Sequence, residues 1–131
     1  MTNPTASQQI TAEVTSWPGV EAGPGRRGEF AFRFGRTEIG HLHSDHAAHF
    51  SFPKQTWAEL KDQGRITEHP VFPGRVGPAA RQIRNDADTR DVIALMRLNY
   101  DRAKNTTNAL RSGSPRDAGM RPTKDRLELD Q

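Results

Sequence analysis

The chain contains no cysteine, which excludes disulfides, thiolate nucleophiles and zinc sites built on thiolates. It also lacks any apolar run near the roughly 20 residues that a membrane-spanning helix needs. Its N-terminal residues have neither a basic start nor an apolar stretch, so they do not resemble a signal peptide. We therefore expect a cytoplasmic protein with no membrane partner.

An excess of charge of one sign is also missing from most of the chain. The net charge is +3, and the segment 104–131 supplies two of these charges through six basic and four acidic residues. The remainder is nearly neutral, so no nucleic-acid partner is expected. Hydrophobic residues make up only 33% of the 131 residues, which predicts that part of the chain lies outside the core.

The first half of the chain has the pattern of one helix followed by an antiparallel meander. Ile10, Val14 and Trp17 form an apolar stripe that predicts a helix over 5–17, and the glycines and prolines of 21–28 predict a loop. Alternating apolar residues then predict three strands, at 29–34, 37–43 and 47–52. The first two are separated by a turn at Gly35-Arg36, predicted to be of type II′, and the last two by a turn at Ser44-Asp45-His46.

The second half predicts helix, strand and helix. A helix is expected over 53–63 with Gly64 as its C-terminal cap, followed by a loop over 65–77. A strand over 79–84 comes next, which Pro78 predicts to begin late or to lie at an edge, and a last helix covers 89–104. The apolar pattern stops there, and few large apolar residues remain to offset the cost of ordering the chain. We predict one α+β domain over 1–105, a small antiparallel sheet of about four strands packed by helices on one face, and a disordered C-terminal tail over 106–131.

Histidines are the most distinctive chemical feature of the sequence. His41 and His43 are two apart and share one face of a strand, where two imidazoles can converge on a metal ion or a substrate oxyanion. His69 is a candidate third member. His46 falls in a predicted turn, and His49 is interpreted with it as local variation. The carboxylates Glu38, Asp45 and Glu68 have no diagnostic spacing, so no metal ligand is assigned, and histidines on a solvated face are the simpler interpretation.

Other candidate residues lie on the strands. Phe30, Phe32 and Phe34 share one strand face, where they form core or the wall of an apolar ligand pocket. Arginines, among them Arg81, either line a site for an anionic ligand or belong to a solvated face. The glycine pairs lack the strand–loop–helix context of a phosphate-binding loop, and no serine lies in a nucleophile elbow.

The order of these motifs resembles the luciferase-domain family, small and mostly uncharacterised bacterial proteins similar to a domain of fungal luciferases. The resemblance covers roughly 10–103 and includes Glu38-Ile-Gly-His-Leu-His43, Phe52-Pro53 and Gly64-Arg65-Ile-Thr-Glu-His69. Gly77-Pro78-Ala79-Ala80-Arg81 departs from a Gly-Trp-Val-Ser-Phe strand in the family. The element order is also similar to the MmcQ/YjbR-like proteins, as an analogy of architecture.

Three functions follow as hypotheses. The family name implies oxygenation of a small aromatic pyrone in fungi. By resemblance, this chain binds or oxidises a small aromatic or enolic molecule, with His41, His43 and His69 as the catalytic residues. Phe30, Phe32, Phe34 and Arg81 would bind the ligand. The alternatives are a non-catalytic protein-interaction module and a metal-binding protein. The sequence specifies neither a cofactor nor an oligomeric state.

Overall fold

The structure, a computed structural model, describes residues 3–111. Within this range the chain forms three helices and six strands. In chain order they are α1 (Ala6–Val14), β1 (Val20–Pro24), β2 (Phe30–Phe34), β3 (Thr37–His43), β4 (Ala47–Ser51), α2 (Lys54–Asp62), β5 (Thr67–Glu68), β6 (Pro78–Gln82) and α3 (Asp86–Arg111). The predicted α+β class is confirmed. None of the helices in the described range is long and apolar enough to cross a membrane.

All six strands of the described range pair antiparallel in one sheet, in the order β1-β2-β3-β4-β6-β5. The predicted meander is its centre. At the two-residue turn between β2 and β3, Gly35 has a φ of 62° while Arg36 stays out of the left-handed region, which fits the predicted type II′ turn.

Two strands were not expected, and both lie at the edges of the sheet. β1 occupies part of the predicted loop 21–28 and pairs with β2 from Val20 opposite Phe34 to Pro24 opposite Phe30. An edge strand tolerates glycine and proline because one side of it needs no partner. β5 pairs with β6, so the predicted edge position of the strand beginning at Pro78 is wrong. Pro78 is tolerated because β5 pairs only as far as Ala79.

The helices begin and end where local hydrogen bonds satisfy their termini. Thr5 and Gln8 form a capping box at the start of α1, and Gly64 follows α2 with a φ of 73°. α3 begins earlier than predicted, with the Asn85 side chain accepting the Asp88 N–H.

α3 also extends beyond its predicted end at residue 104, to Arg111. Residues 106–111 of the predicted tail are therefore helical, and the remainder of that tail, 112–131, lies outside the described residues. Within the described residues the chain divides into two units after residue 100, and the predicted domain boundary at residue 105 stays a prediction.

The hydrophobic core lies on the helix-covered face of the sheet. The sheet contributes Phe32, Ile39 and Leu42, and the helices contribute a larger set: Ile10, Val14, Trp57, Leu60, Val92, Leu95, Met96 and Tyr100. Met96 of α3 packs closely against β3 at Gly40, where an added Cβ would lie 2.6 Å from the Met96 sulfur. Because side chains alternate along a strand, the neighbours of these core residues face the other side of the sheet.

Candidate metal centre

Three histidines project from the face of the sheet opposite to the helices. His41 and His43 alternate with buried Leu42 on β3, and His49 of β4 lies directly opposite His41 in the strand register. The ring centroids of His43 and His49 are 4.4 Å apart, and those of His41 and His43 are 5.0 Å apart. His69, just after β5, joins them with its ring centroid 4.1 Å from that of His49.

Small side chains leave room for these rings. Ala31 of β2 lies opposite His41, and Ala80 of β6 lies opposite His49, so both alanines share the histidine face. Both are buried. Across four neighbouring strands the side chains in this row are Ala31, His41, His49 and Ala80. The two imidazoles therefore lie between two small side chains at the centre of the sheet.

The histidines line a cleft of about 210 Å³. The cleft is bounded by the four imidazoles of His41, His43, His49 and His69 together with Arg27, Glu29, Val71 and Phe72. Arg27 and Glu29 come from the segment between β1 and β2, and Val71 and Phe72 from the loop between β5 and β6. The cleft therefore lies between two loops, with the histidine face as its floor.

A β-bulge brings an acidic side chain to the cluster. Phe32 lies opposite Gly40 but Arg33 lies opposite Glu38, so β3 carries one extra residue at Ile39. Residues 38 and 41 of a regular strand would face opposite sides, and the extra residue places them on the same side. The Glu38 carboxylate consequently reaches the Nδ1 atom of His41 at 2.8 Å. This contact leaves Nε2 of His41 available to a ligand.

His49 is the most buried member, with 9% of its surface exposed. Its Nδ1 atom is buried and has no hydrogen-bond partner within the described residues. Burial, followed by the positive charges of His69, His43 and His41, lowers the pKa of His49 from 6.5 to about 4. At neutral pH the ring is uncharged and offers a lone pair.

His69 is held by its own loop. Its Nδ1 atom accepts the Val71 N–H at 3.1 Å, so in the neutral ring the proton belongs on Nε2 by inference from this hydrogen bond. Burial and the charges of His41 and His43 lower the pKa of His69. His69 is therefore suited to donate a hydrogen bond beside the other three rings.

Three of the four histidines have the geometry of a metal-ligand set. One ring nitrogen from each of His41, His43 and His49 lies within 4.8 Å of the others. Nitrogens bound to a tetrahedral zinc ion at about 2.0–2.1 Å would lie about 3.3 Å apart. Because His43 is exposed, small ring rotations can close that difference. A carboxylate on the far nitrogen of a ligating histidine, as with Glu38 on His41, is the usual companion of such a site.

The structure brings together the three predicted catalytic residues, His41, His43 and His69. It adds His49, which the sequence interpretation had grouped with His46. His46 is exposed in the turn and does not line the cleft. The missed signal was the register: a hairpin that turns at 44–46 pairs residue 43 with 47 and therefore 41 with 49.

The predicted ligand-binding residues do not join the histidines. Phe32 and Phe34 face the helix-covered side of the sheet, and Phe30 lines a separate cleft of about 290 Å³ with Leu42 and Ser44. The expectation that the histidines stand over the phenylalanine face is therefore not met, because the two sets alternate to opposite sides.

Arg81 likewise lies away from the cleft, in contacts that tie β6 to α3. Its guanidinium donates to Asp88 and Asp91 at 2.6 Å each and to the Arg65 carbonyl at 2.9 Å. Its donors hold the sheet to the helix, and this arrangement does not provide the predicted ligand contact.

The fold and the site define a class: an α+β domain with a histidine-lined cleft on the open face of its antiparallel sheet. Residues 36–99 match the family model described as Luciferase domain. The resemblance inferred from the motifs is confirmed. The match includes Glu38 and all four histidines of the cleft, but not Arg27 or Glu29. No curated protein and no solved structure matches the chain. The likeness to MmcQ/YjbR-like proteins stays a prediction.

Proposed function

We propose that the cleft is a metal centre that binds a small molecule, with His41, His43 and His49 as ligands of a divalent transition metal of the zinc class. The observation that carries the proposal is the convergence of three imidazoles from paired strands, one of them buried with an unpartnered nitrogen. Three protein ligands leave a further coordination position open, as in zinc sites that bind water or a substrate.

The unpartnered nitrogen of His49 favours a metal over a merely crowded polar cluster. A buried polar atom without a partner costs about 1–3 kcal/mol, and such atoms are uncommon in native proteins. Grouping four imidazoles adds mutual repulsion whenever more than one is protonated. A cation bound to the deprotonated rings would remove both costs.

The donor set indicates which ions fit. Nitrogen donors without thiolate suit zinc, copper, iron or nickel, and do not suit calcium or magnesium, which take oxygen ligands. Glu38 would not bind the metal itself but would orient the His41 ring through its contact with Nδ1. His69, whose Nδ1 is occupied by Val71, would remain outside the ligand set and donate to whatever fills the open position.

Elemental analysis of untagged protein, purified without chelators or imidazole, tests the proposal. We expect about one transition-metal ion per chain, and after metal removal saturable binding of added zinc. His43→Ala should abolish stoichiometric binding while leaving the fold intact, because His43 is exposed. His46→Ala is the matched control and should bind like the unaltered chain. Protein that holds no metal and takes up no zinc would overturn the proposal.

A second candidate is a metal-free site that binds and deprotonates a phenolic or enolic molecule. The Glu38 contact at 2.8 Å favours it, because a carboxylate on Nδ1 is how general-base histidines are oriented. His41 would be the base, with His43 and His69 assisting. A chromogenic nitrophenol tests this: its phenolate absorbance should increase on binding to metal-free protein and not on binding to His41→Ala. Equal spectra with both proteins would eliminate the candidate.

The interaction-module hypothesis places a protein partner on the sheet or on the tail 106–131, of which the structure describes only 106–111, and it stays a hypothesis. A cytoplasmic location and the absence of a nucleic-acid partner also stay predictions, which rest on composition and charge.

A further inference from the structure

Arg27 is an arginine that borders the cleft and whose charge is not paired within the described residues. It lies between β1 and β2, is exposed, and lines the cleft together with His69. It forms no ion pair with any residue in the described range, whereas Arg65, Arg81 and Arg84 all do. An arginine that borders a pocket without a protein partner is placed to receive an anion.

The nearest acid does not neutralise Arg27. Glu29 also lines the cleft, but its carboxylate accepts the backbone N–H of Arg27 at 3.0 Å. Hydrogen bonds from the backbone N–H of Glu29 itself and from that of Arg27 hold the pKa of the Glu29 carboxyl below its ordinary value of 4.5. The carboxylate is thus held by the loop backbone, and the guanidinium stays available.

The opposite wall of the cleft is apolar and exposed. Val71 is 62% exposed and Phe72 38% exposed. The Phe72 ring centroid is 5.2 Å from that of His69, and the Arg75 guanidinium lies 5.7 Å from the Phe72 centroid. Arg75 packs on this ring and helps to hold it in place. A ligand entering the cleft therefore meets apolar surface on one side and a cation on the other.

The charges of the site favour a ligand with a single negative charge. A divalent ion and Arg27 outweigh Glu29 and Glu38 by one positive charge when the imidazoles are neutral. A monoanion would balance this excess. Its oxygens have two nearby contacts available, the Nε2–H of His69 and the Arg27 guanidinium.

From this arrangement we infer that the ligand of the cleft is a small organic monoanion, a carboxylate with an apolar body. The carboxylate would lie between the metal position, His69 and Arg27, and the apolar body would cover Val71 and Phe72. The metal contact rests on the proposed function, and the other contacts do not. The cleft volume of about 210 Å³ is below the range of roughly 300–1,000 Å³ typical of drug-sized ligands, so the molecule is small. Arg27 lies outside the segment 36–99 that matches the family model, whereas His69, Val71 and Phe72 lie inside it.

The test uses full-length protein loaded with cobalt(II), whose visible spectrum responds to a change of ligand, and benzoate as the probe. Benzoate should shift the cobalt spectrum and bind at least about tenfold more tightly than neutral benzamide. Arg27→Gln should weaken benzoate about tenfold, and Arg26→Gln, one residue away and absent from the cleft lining, is the matched control. Phe72→Ala should weaken benzoate more than acetate, because acetate has almost no apolar body.

A parallel titration of metal-free protein, followed by the imidazole NMR signals of His69, separates the two proposals. If cobalt does not bind, the metal centre is wrong, but benzoate that binds in an Arg27-dependent way still supports the anion site. If cobalt binds and benzoate affects neither readout, the metal centre stands and the inference falls. Equal affinities for benzoate and benzamide, or equal effects of Arg27→Gln and Arg26→Gln, would also overturn it.

Discussion

Glu38 contacts the histidine cluster because the bulge in β3 places its side chain on the same face as His41. Its carboxylate is 2.8 Å from His41 Nδ1 and would orient that ring toward a metal. Glu38→Gln keeps the shape but removes the charge, and loss of such a partner typically lowers metal affinity 10–100-fold. We expect that decrease in a zinc competition titration against a chelating dye.

Glu21→Gln is the control for this change, because Glu21 is an exposed residue of β1 that does not line the cleft. Unchanged zinc affinity in Glu38→Gln would show that the contact with His41 plays no part in binding.

At the level of single residues, spacing predicted part of the cluster. The two-residue interval of His41 and His43 was enough to place them on one strand face. His49 was equally accessible, since the predicted strands and turn already implied the register that puts it opposite His41. His69 joins the cluster only through β5, a pair of residues too short to give a hydrophobic period.

At the level of elements, the bulge in β3 is what the sequence could not reveal. Glu38 received no role because its spacing is not diagnostic of a site, and in a regular strand it would face the side opposite to His41. The bulge at Ile39 is fixed by tertiary contacts: the Asn99 amide of α3 donates to the carbonyls of Ile39 and Ser51, at 3.2 Å each. Met96 of α3 also packs closely against Gly40, the residue that follows the bulge. None of these partners is near β3 in the chain.

Asn99→Leu tests whether α3 supports the bulge. The side chain is buried, and leucine would leave the Ile39 and Ser51 carbonyls without this donor. We expect the free energy of unfolding to decrease by about 2–3 kcal/mol in urea denaturation. The folded variant should also bind zinc more weakly, because the position of Glu38 depends on the bulge.

The control on the same helix is Asn105→Leu, an exposed position that should change stability by no more than about 0.5 kcal/mol. Asn99→Leu protein with unaltered stability and unaltered zinc affinity would mean that the bulge does not depend on α3.

At the level of the whole molecule, one sheet serves two purposes on its two faces. The helix-covered face carries the core, and the open face carries the four histidines between two loops. The α+β class and the meander followed from periodicity, because those strands alternate clearly. The edge strands did not, because β1 contains glycine and proline and gains its structure only from pairing with β2. The sequence interpretation placed the phenylalanines and the histidines in one pocket, although the two sets line opposite faces of the sheet.

The same arrangement makes the stability of the metal-free protein depend on pH in a definite direction. The pKa of His49 is about 4 in the folded chain, against 6.5 as its ordinary value. Between these two values the unfolded chain takes up a proton at His49 that the folded chain does not, so falling pH favours unfolding. The stabilisation is complete above about pH 6.5 and is lost progressively toward pH 4.

We expect the free energy of unfolding to fall by about 2 kcal/mol between pH 7.5 and pH 5, measured by urea denaturation after metal removal. Glu29 and Glu68, whose pKa values lie below 4.5, act below this window, whereas His69, whose pKa is also lowered by burial, adds to the loss of stability in the same direction. His49→Gln should remove most of the slope, whereas His46→Gln, in the exposed turn, should keep it. Equal slopes in these two variants would mean that the acid sensitivity of the fold does not originate at the buried histidine of the cleft.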